Sequence, residues 1–251
     1  MSTVGDHTLL GHLEALRSAL LRCLAVTALL FPVGYAATPL VIAGLVRWCL
    51  PPELGGLHFF SPLEVFLVRL KLALLLALAA AYPWNLMQLW RFLVPALHEH
   101  ERGLLRRWVV AASLLFFAGV IFSVLLVLPL LMRFASQFAD DQLRPMLGLA
   151  QFLGVSGWLS LAFGLMFQTP VLVLPAVRLG LVSCADLRRR RPVVMTVILI
   201  VAAILTPPDV VSQLLLAVPT WLLFELGLYW AGRREGRLAS ATVGEAADGC
   251  R

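Results

Sequence analysis

Long uninterrupted apolar runs recur along this chain, and nothing else in it restricts the fold as much. "LALLLALAAAY" at 72–82 and "WVVAASLLFFAGVIFSVLLVLPLL" at 108–131 are two of several. With 61% hydrophobic residues, 14% charge and a mean hydropathy of +0.91, there is more apolar side chain than a water-soluble core of 251 residues can hide. A helix needs about 20 mainly apolar residues to cross roughly 30 Å of hydrocarbon. Spans are expected at 19–37, 70–90, 108–131, 152–174, 192–205 and 214–230. The runs lack the strict alternation of a barrel strand, so the predicted fold is all-α, a polytopic bundle of six transmembrane helices. The first run follows Asp6 and Glu14 and ends in no small-residue cleavage pattern, which predicts a retained anchor instead of a cleaved leader.

Charge sets the orientation. Of 20 Lys and Arg residues, 15 fall in segments on the N-terminal side of the membrane, 3 fall in the opposite loops, and Arg69 and Lys71 sit at a helix end from which they can snorkel. Both termini are therefore predicted to be cytoplasmic. The pI of 9.8 then reports membrane topology and not nucleic-acid binding, and "LRRRRP" at 187–192 reads as a lipid-facing anchor. Cys23, Cys49, Cys184 and Cys250 are isolated, so no structural disulfide is expected. The chain divides into a membrane domain over 1–232 and, from the Ala, Gly and charge of 233–251, a mobile cytoplasmic tail. No internal repeat of the kind common in secondary transporters is evident.

Four features bear on chemistry. "GVSGW" at 154–158 matches the short pattern around an intramembrane serine nucleophile, but no histidine follows residue 100 to serve as its base, which favours small residues for close helix packing. "HEHE" at 98–101 places two imidazoles two residues apart, a spacing that diverges on a helix, so neither metal nor any other cofactor is expected. Gln88, Gln168 and Glu225 lie inside the predicted spans, where a charged group costs about 2.5–3.5 kcal/mol. Interhelical hydrogen bonding suits Gln88, and Gln168 and Glu225 are candidates for a substrate path. Finally, "ILTPPDVVSQ" at 204–213 stops one helix at Pro207 and Pro208 and restarts another with Asp209 or Ser212 as cap. The flanking spans of 14 and 17 residues, about 21 and 26 Å, are both shorter than the hydrocarbon is thick.

"HLEALR" at 12–17, "SPLEVFLVRLK" at 61–71, "PWNLMQLWRFLVPALHEHER" at 83–102, "FQTP" at 167–170 and "LTPPDVVSQLLLAVPTWLLFE" at 205–225 together resemble the TatC family, the polytopic receptor subunit of the twin-arginine protein translocase. The resemblance runs from His12 to about Gly232. It implies a glove-shaped six-helix bundle in the bacterial cytoplasmic membrane that is not an enzyme. Its role would be to bind twin-arginine signal peptides of folded proteins and recruit single-span TatA and TatB type partners for export driven by the proton motive force, with self-association into a receptor complex. At the positions matching Glu14 and Glu101, acidic residues of similar proteins receive the paired arginines. A carboxylate can hold a guanidinium bidentately where it cannot hold an ammonium, and Arg17, Phe92 and Pro95 complete the implied signal-binding face. Pro207, Pro208, Asp209 and Gln213 mark the implied outer hairpin and partner surface. Gln168 stands where many relatives carry glutamate, so ionisation at that point is not available to this chain. An ion-coupled small-molecule transporter is the alternative, and it predicts solute flux from the chain alone in liposomes.

Overall fold

The computed structural model describes residues 4–51, 56–93, 102–137, 147–178, 182–206 and 210–248. Helix α1 (Val4–Cys49) has 46 residues, well beyond the expected 19–37. It continues because 38–49 stays apolar and because the damage done by Pro39 is repaired locally. A proline at 39 cannot donate to the carbonyl of Tyr35 four residues earlier, and the hydroxyl of Thr38 donates to that oxygen instead, at 2.8 Å. Helix α2 (Pro62–Leu93) opens with proline at its first position, where no N–H is needed, and Ser61 Oγ accepts from Leu63 N at 3.3 Å.

Helix α3 (Arg102–Phe122) passes through a π-helical turn at Ser123–Val127 into α4 (Leu128–Ser136). The sequence predicts a plain helix there. Widening the turn frees carbonyls from the α-ladder, and the end of α1 uses them: Trp48 Nε1 donates to Leu125 O at 3.3 Å and Cys49 Sγ to Val124 O at 3.7 Å. The next span is split as well. Helix α5 (Leu149–Met166) ends in a turn at Phe167 and Gln168, and α6 (Thr169–Arg178) resumes. Pro170 leaves Met166 O without its amide partner, and Thr169 Oγ1 donates to it at 2.6 Å. The same Thr-Pro device thus operates in α1 and α6.

Helix α7 (Cys184–Arg189) is capped by Ser183, whose hydroxyl accepts from Asp186 N at 3.0 Å, and leads into α8 (Arg191–Leu205) and α9 (Val210–Asp248). Among the described residues, five segments are long and apolar enough to cross a membrane: Leu13–Cys49, Pro62–Phe92, Arg106–Ser136, Leu149–Leu174 and Val210–Arg233. The expected fifth of six spans is α8, whose 15 residues reach about 22 Å. The last span does not keep the shortness that the sequence suggests. It has 24 residues, because the helix already includes Val210–Gln213 and finds no breaker after Trp230. The backbone of 233–248 continues α9.

Close helix approach holds these elements together, since lipid supplies little hydrophobic drive between them. A Cβ on Gly34 would stand 2.7 Å from Ala73 O, so α1 and α2 meet backbone to backbone. On Gly119 it would stand 2.5 Å from Phe163 O, which seats α3 against α5, and on Gly227 it would stand 3.0 Å from Pro170 Cα, which seats α9 against α6. Phe116, Phe163, Phe224, Leu128, Leu159 and Leu216 are fully buried between them, while Leu29, Leu40, Leu114 and Ile204 are exposed, as lipid-facing residues should be.

Candidate functional site

The antiparallel register of α1 on α2 places the N-terminal candidates. Gly34 lies against Ala73 and Ala77, and Asn85 Nδ2 reaches Thr27 Oγ1 at 3.5 Å. Carried along the helices, this register sets Leu93, the last residue of α2, level with about residue 18. Glu14 therefore stands one turn beyond the end of α2. Both Glu14 and Arg17 are exposed, and the two do not form an ion pair although they are three residues apart on one helix. Phe92 is half-buried at the end of α2. Pro95 and Glu101 lie outside the described residues, as does the "HEHE" run that contains Glu101. Among the described residues no three His, Cys, Asp or Glu side chains cluster as metal ligands.

Behind this rim, polar groups follow α2 inward. Gln88 is buried, and Asn85, one turn away, keeps its Oδ1 buried without a partner among the described residues. Asn85 and Thr27 were not singled out from the sequence; the i, i+3 spacing from Gln88 is a signal for Asn85, and Thr27 is identified only by its contact across α1 and α2.

Gln168 sits at the α5–α6 break with 8% of its surface exposed. Its Nε2 donates to Ala112 O of α3 at 3.0 Å and to Gly164 O at 3.4 Å. Phe122, Phe163 and Phe167 pack around the same junction, with ring centroids 5.6 to 6.4 Å apart. The amide thus ties two spans together at the point where the helix is broken.

Glu225 is half-buried on α9 and accepts a hydrogen bond from Arg191 Nη2 at 2.7 Å. This pair corrects the reading of "LRRRRP" as a purely lipid-facing anchor, because Arg191 turns inward to the carboxylate. Gln213 Nε2 donates to Leu199 O at 3.2 Å and pins the start of α9 to α8. Pro207, Pro208 and Asp209, expected at the hairpin between those helices, lie outside the described residues. Trp158 Nε1 donates to Leu205 O at 2.6 Å, joining α5 to the end of α8. Sequence reasoning passed over this contact.

At the opposite end of the bundle from Glu14, Glu64 in the first turn of α2 accepts from Phe60 N at 2.9 Å and from Ala150 N at 3.3 Å. His58 completes the join, donating to Leu147 O and accepting from Leu149 N. This clamp ties the connection before α2 to the start of α5, and it too escaped the sequence reading. In "GVSGW", a Cβ on Gly157 would stand 2.5 Å from Leu75 Cδ1. Ser156 is buried, and among the described residues its hydroxyl has no hydrogen-bond partner.

Comparison with known proteins matches this arrangement as a whole. The family model described as Sec-independent protein translocase protein (TatC) covers residues 11–219. The Sec-independent protein translocase protein TatC of Azotobacter chroococcum is 36% identical over 231 residues, 91% of this chain and 90% of the relative. Its counterpart in Escherichia coli K12 is 34% identical over 235 residues, 92% of this chain and 90% of the relative. A crystal structure of the twin-arginine translocase receptor TatC in DDM superposes with a TM-score of 0.78 at 28% identity, covering 88% of this chain and 99% of the other. The match in sequence and the match in fold both extend over almost the whole described bundle, and the chain belongs to the TatC family of Sec-independent protein translocase proteins.

Proposed function

We propose that this chain is the receptor and assembly platform of a twin-arginine translocase. In this reading it sits in a bacterial cytoplasmic membrane with both termini in the cytoplasm and 233–251 as a mobile tail. It binds the Arg-Arg signal of folded export substrates and recruits single-span TatA and TatB type subunits, and transport is driven by the proton motive force. Self-association of receptor chains belongs to the same reading. The observation that carries it is Glu14, an exposed carboxylate that has no ion-pair partner among the described residues, held one turn beyond the end of α2 on the face that the charge distribution assigns to the cytoplasm.

Glu14 and Glu101 are the carboxylates assigned to the paired arginines, with Arg17, Phe92 and Pro95 beside them. An exposed carboxylate contributes only about 0–1 kcal/mol to an ion pair. A covered, bidentate one contributes about 1.5–3 kcal/mol. Discrimination of arginine from lysine thus depends on the bound peptide and its surroundings shielding Glu14. Pro207, Pro208, Asp209 and Gln213, with the short α8, form the proposed surface for single-span partners, since a 22 Å helix leaves hydrocarbon that a partner helix can fill.

The test is binding of a labelled signal peptide to the protein in nanodiscs. An Arg-Arg peptide should bind about tenfold or more tightly than its Lys-Lys counterpart, and Glu14→Gln or Glu101→Gln should each remove most of that ratio. Equal affinity for the two peptides overturns the receptor reading. A ratio unchanged in both variants removes the two carboxylates from the site.

A further inference from the structure

A groove of about 300 Å³ lies between α1, α2, α3 and α5. Its walls include Gly44, Leu72, Leu76, Phe116, Ser156 and Ser160, and every lining residue belongs to a membrane-crossing segment. Leu72 is about 15 Å along α2 from its first residue, so the groove occupies the half of the membrane opposite Glu14. Apolar side chains make up nearly all of it, yet the lining residues Leu76, Val120 and Ser160 stay half-exposed, so the groove opens to the side of the bundle. Hydrocarbon is what such a shape admits.

Its outer mouth is charged. On α1, Arg47 stands three residues beyond the lining residue Gly44. On α2, which runs the other way, Arg69 stands three residues beyond the lining residue Leu72. Residues three apart share a helix face, so Arg47 stands about 4.5 Å beyond Gly44 at the outer mouth, and Arg69, level with about residue 42 of α1, flanks the groove about 7 Å deeper along the bundle. Arg69 Nε is buried without an acceptor, and among the described residues neither arginine is engaged in a hydrogen bond or an ion pair. The nearest carboxylate along α2, Glu64, is already committed to Phe60 N and Ala150 N. The enclosed Nε holds the Arg69 guanidinium in place, and its terminal nitrogens, which are not enclosed, can donate to a phosphate oxygen in a strong charge-assisted bond.

We propose that this is a phospholipid site, with one acyl chain in the groove and the headgroup phosphate held between Arg47 and Arg69. A second apolar helix in the groove would fill the volume but leave both arginines without an acceptor, whereas a glycerophospholipid supplies the chain and the anion in one molecule. The orientation proposed above makes this an outer-leaflet lipid, but the site itself depends only on the membrane-spanning bundle. Failure of signal-peptide binding therefore leaves it standing.

The experiment uses the purified full chain in detergent, supplied with phosphatidylglycerol that carries a photoreactive group in one acyl chain. Adducts are located by peptide mass spectrometry, and retained lipid is counted on the intact protein. Labelling should concentrate on the groove-lining stretches of α1, α2, α3 and α5. Arg47→Gln and Arg69→Gln should each lower retained lipid about fivefold, as expected for one basic residue at an anionic surface. Gly44→Phe should abolish groove labelling, because nothing lies within 4 Å of a Cβ at that position and the ring can occupy the space without moving backbone. Ser160→Leu gives a second block if the phenylalanine variant folds poorly. Arg133→Gln, at the same end of the bundle but off the groove, should change nothing. Labelling spread evenly over all spans, or retention indifferent to Arg47 and Arg69, means boundary lipid only and overturns the proposal. Labelling of the groove by a partner's transmembrane helix in the assembled complex, with lipid absent, also overturns it.

Discussion

Gly119→Ala isolates the close approach of α3 and α5. The added methyl would stand 2.5 Å from Phe163 O, 2.9 Å from Phe163 C and 2.9 Å from Phe167 Cγ. A carbon and a carbonyl oxygen rest at about 3.3–3.6 Å, so the helices must part by roughly 0.8 Å. Two of the three obstructing atoms are main chain, so no rotamer change relieves the contact. Overpacking costs about 1–3 kcal/mol, and the unyielding backbone puts this site at the upper end. Alanine returns about 0.8–1.0 kcal/mol through its better helix propensity, which leaves a net loss of about 2 kcal/mol.

Gly154→Ala is the control on α5, because nothing lies within 4 Å of its added methyl. It should keep the propensity gain of up to about 1 kcal/mol. The two variants should then differ by about 3 kcal/mol in reversible SDS unfolding from mixed micelles, followed by tryptophan fluorescence. If Gly119→Ala is as stable as Gly154→Ala, the α3–α5 contact is not the backbone seat described above.

Three further predictions rest on single contacts. Thr38→Val keeps the shape of a fully buried side chain but leaves Tyr35 O without a donor, so it should cost about 1–3 kcal/mol in the same unfolding assay, whereas Thr38→Ser should cost less. For Arg191 and Glu225, whose side chains are 46% and 30% exposed, a double-mutant cycle with Arg191→Gln and Glu225→Gln should give a coupling of only about 0–1 kcal/mol that shrinks in salt. Glu64→Gln keeps one acceptor oxygen of the two in use, so the amides of Phe60 and Ala150 should exchange hydrogen faster, each measured by mass spectrometry against an unchanged α1.

How much of this was legible in the sequence depended on which kind of interaction set each feature. Hydropathy located the five described segments long and apolar enough to cross a membrane, because lipid permits only runs of that length and composition, and it also located the shorter α8. It misjudged the end of α1, because "TPLVIAGLVRWC" stays mostly apolar, and the end of α9, because the charge that begins at Arg233 brings no helix breaker with it. The break before α6 falls at Pro170, where a proline removes an amide donor from the helix ladder. The π turn at Ser123–Val127 was illegible, since its partners Trp48 and Cys49 lie more than seventy residues away. Glu225 was visible as an intramembrane carboxylate, but its partner was hidden inside a run of four arginines that look alike in sequence. Only the fold selects Arg191.

Four of the side-chain links that span helices share one chemistry. Trp48 to Leu125, Trp158 to Leu205, Gln168 to Ala112 and Gln213 to Leu199 each pair a side-chain N–H donor with a main-chain carbonyl. Such a link constrains the donor residue and leaves the acceptor's side chain free to change, because every residue presents the same main-chain oxygen. It also fixes what position 168 must supply, which is a hydrogen directed at Ala112 O. Glutamine has it at every pH, whereas a carboxyl group has it only while protonated. Gln168→Met should therefore cost about 0.6–1.7 kcal/mol at all pH values. Gln168→Glu should unfold like the parent at acid pH and more readily than Gln168→Met once the carboxylate ionises against two carbonyl oxygens. A Gln168→Glu variant whose stability tracks the parent across the whole pH range would show that the amide hydrogen is not what holds α3 to α5.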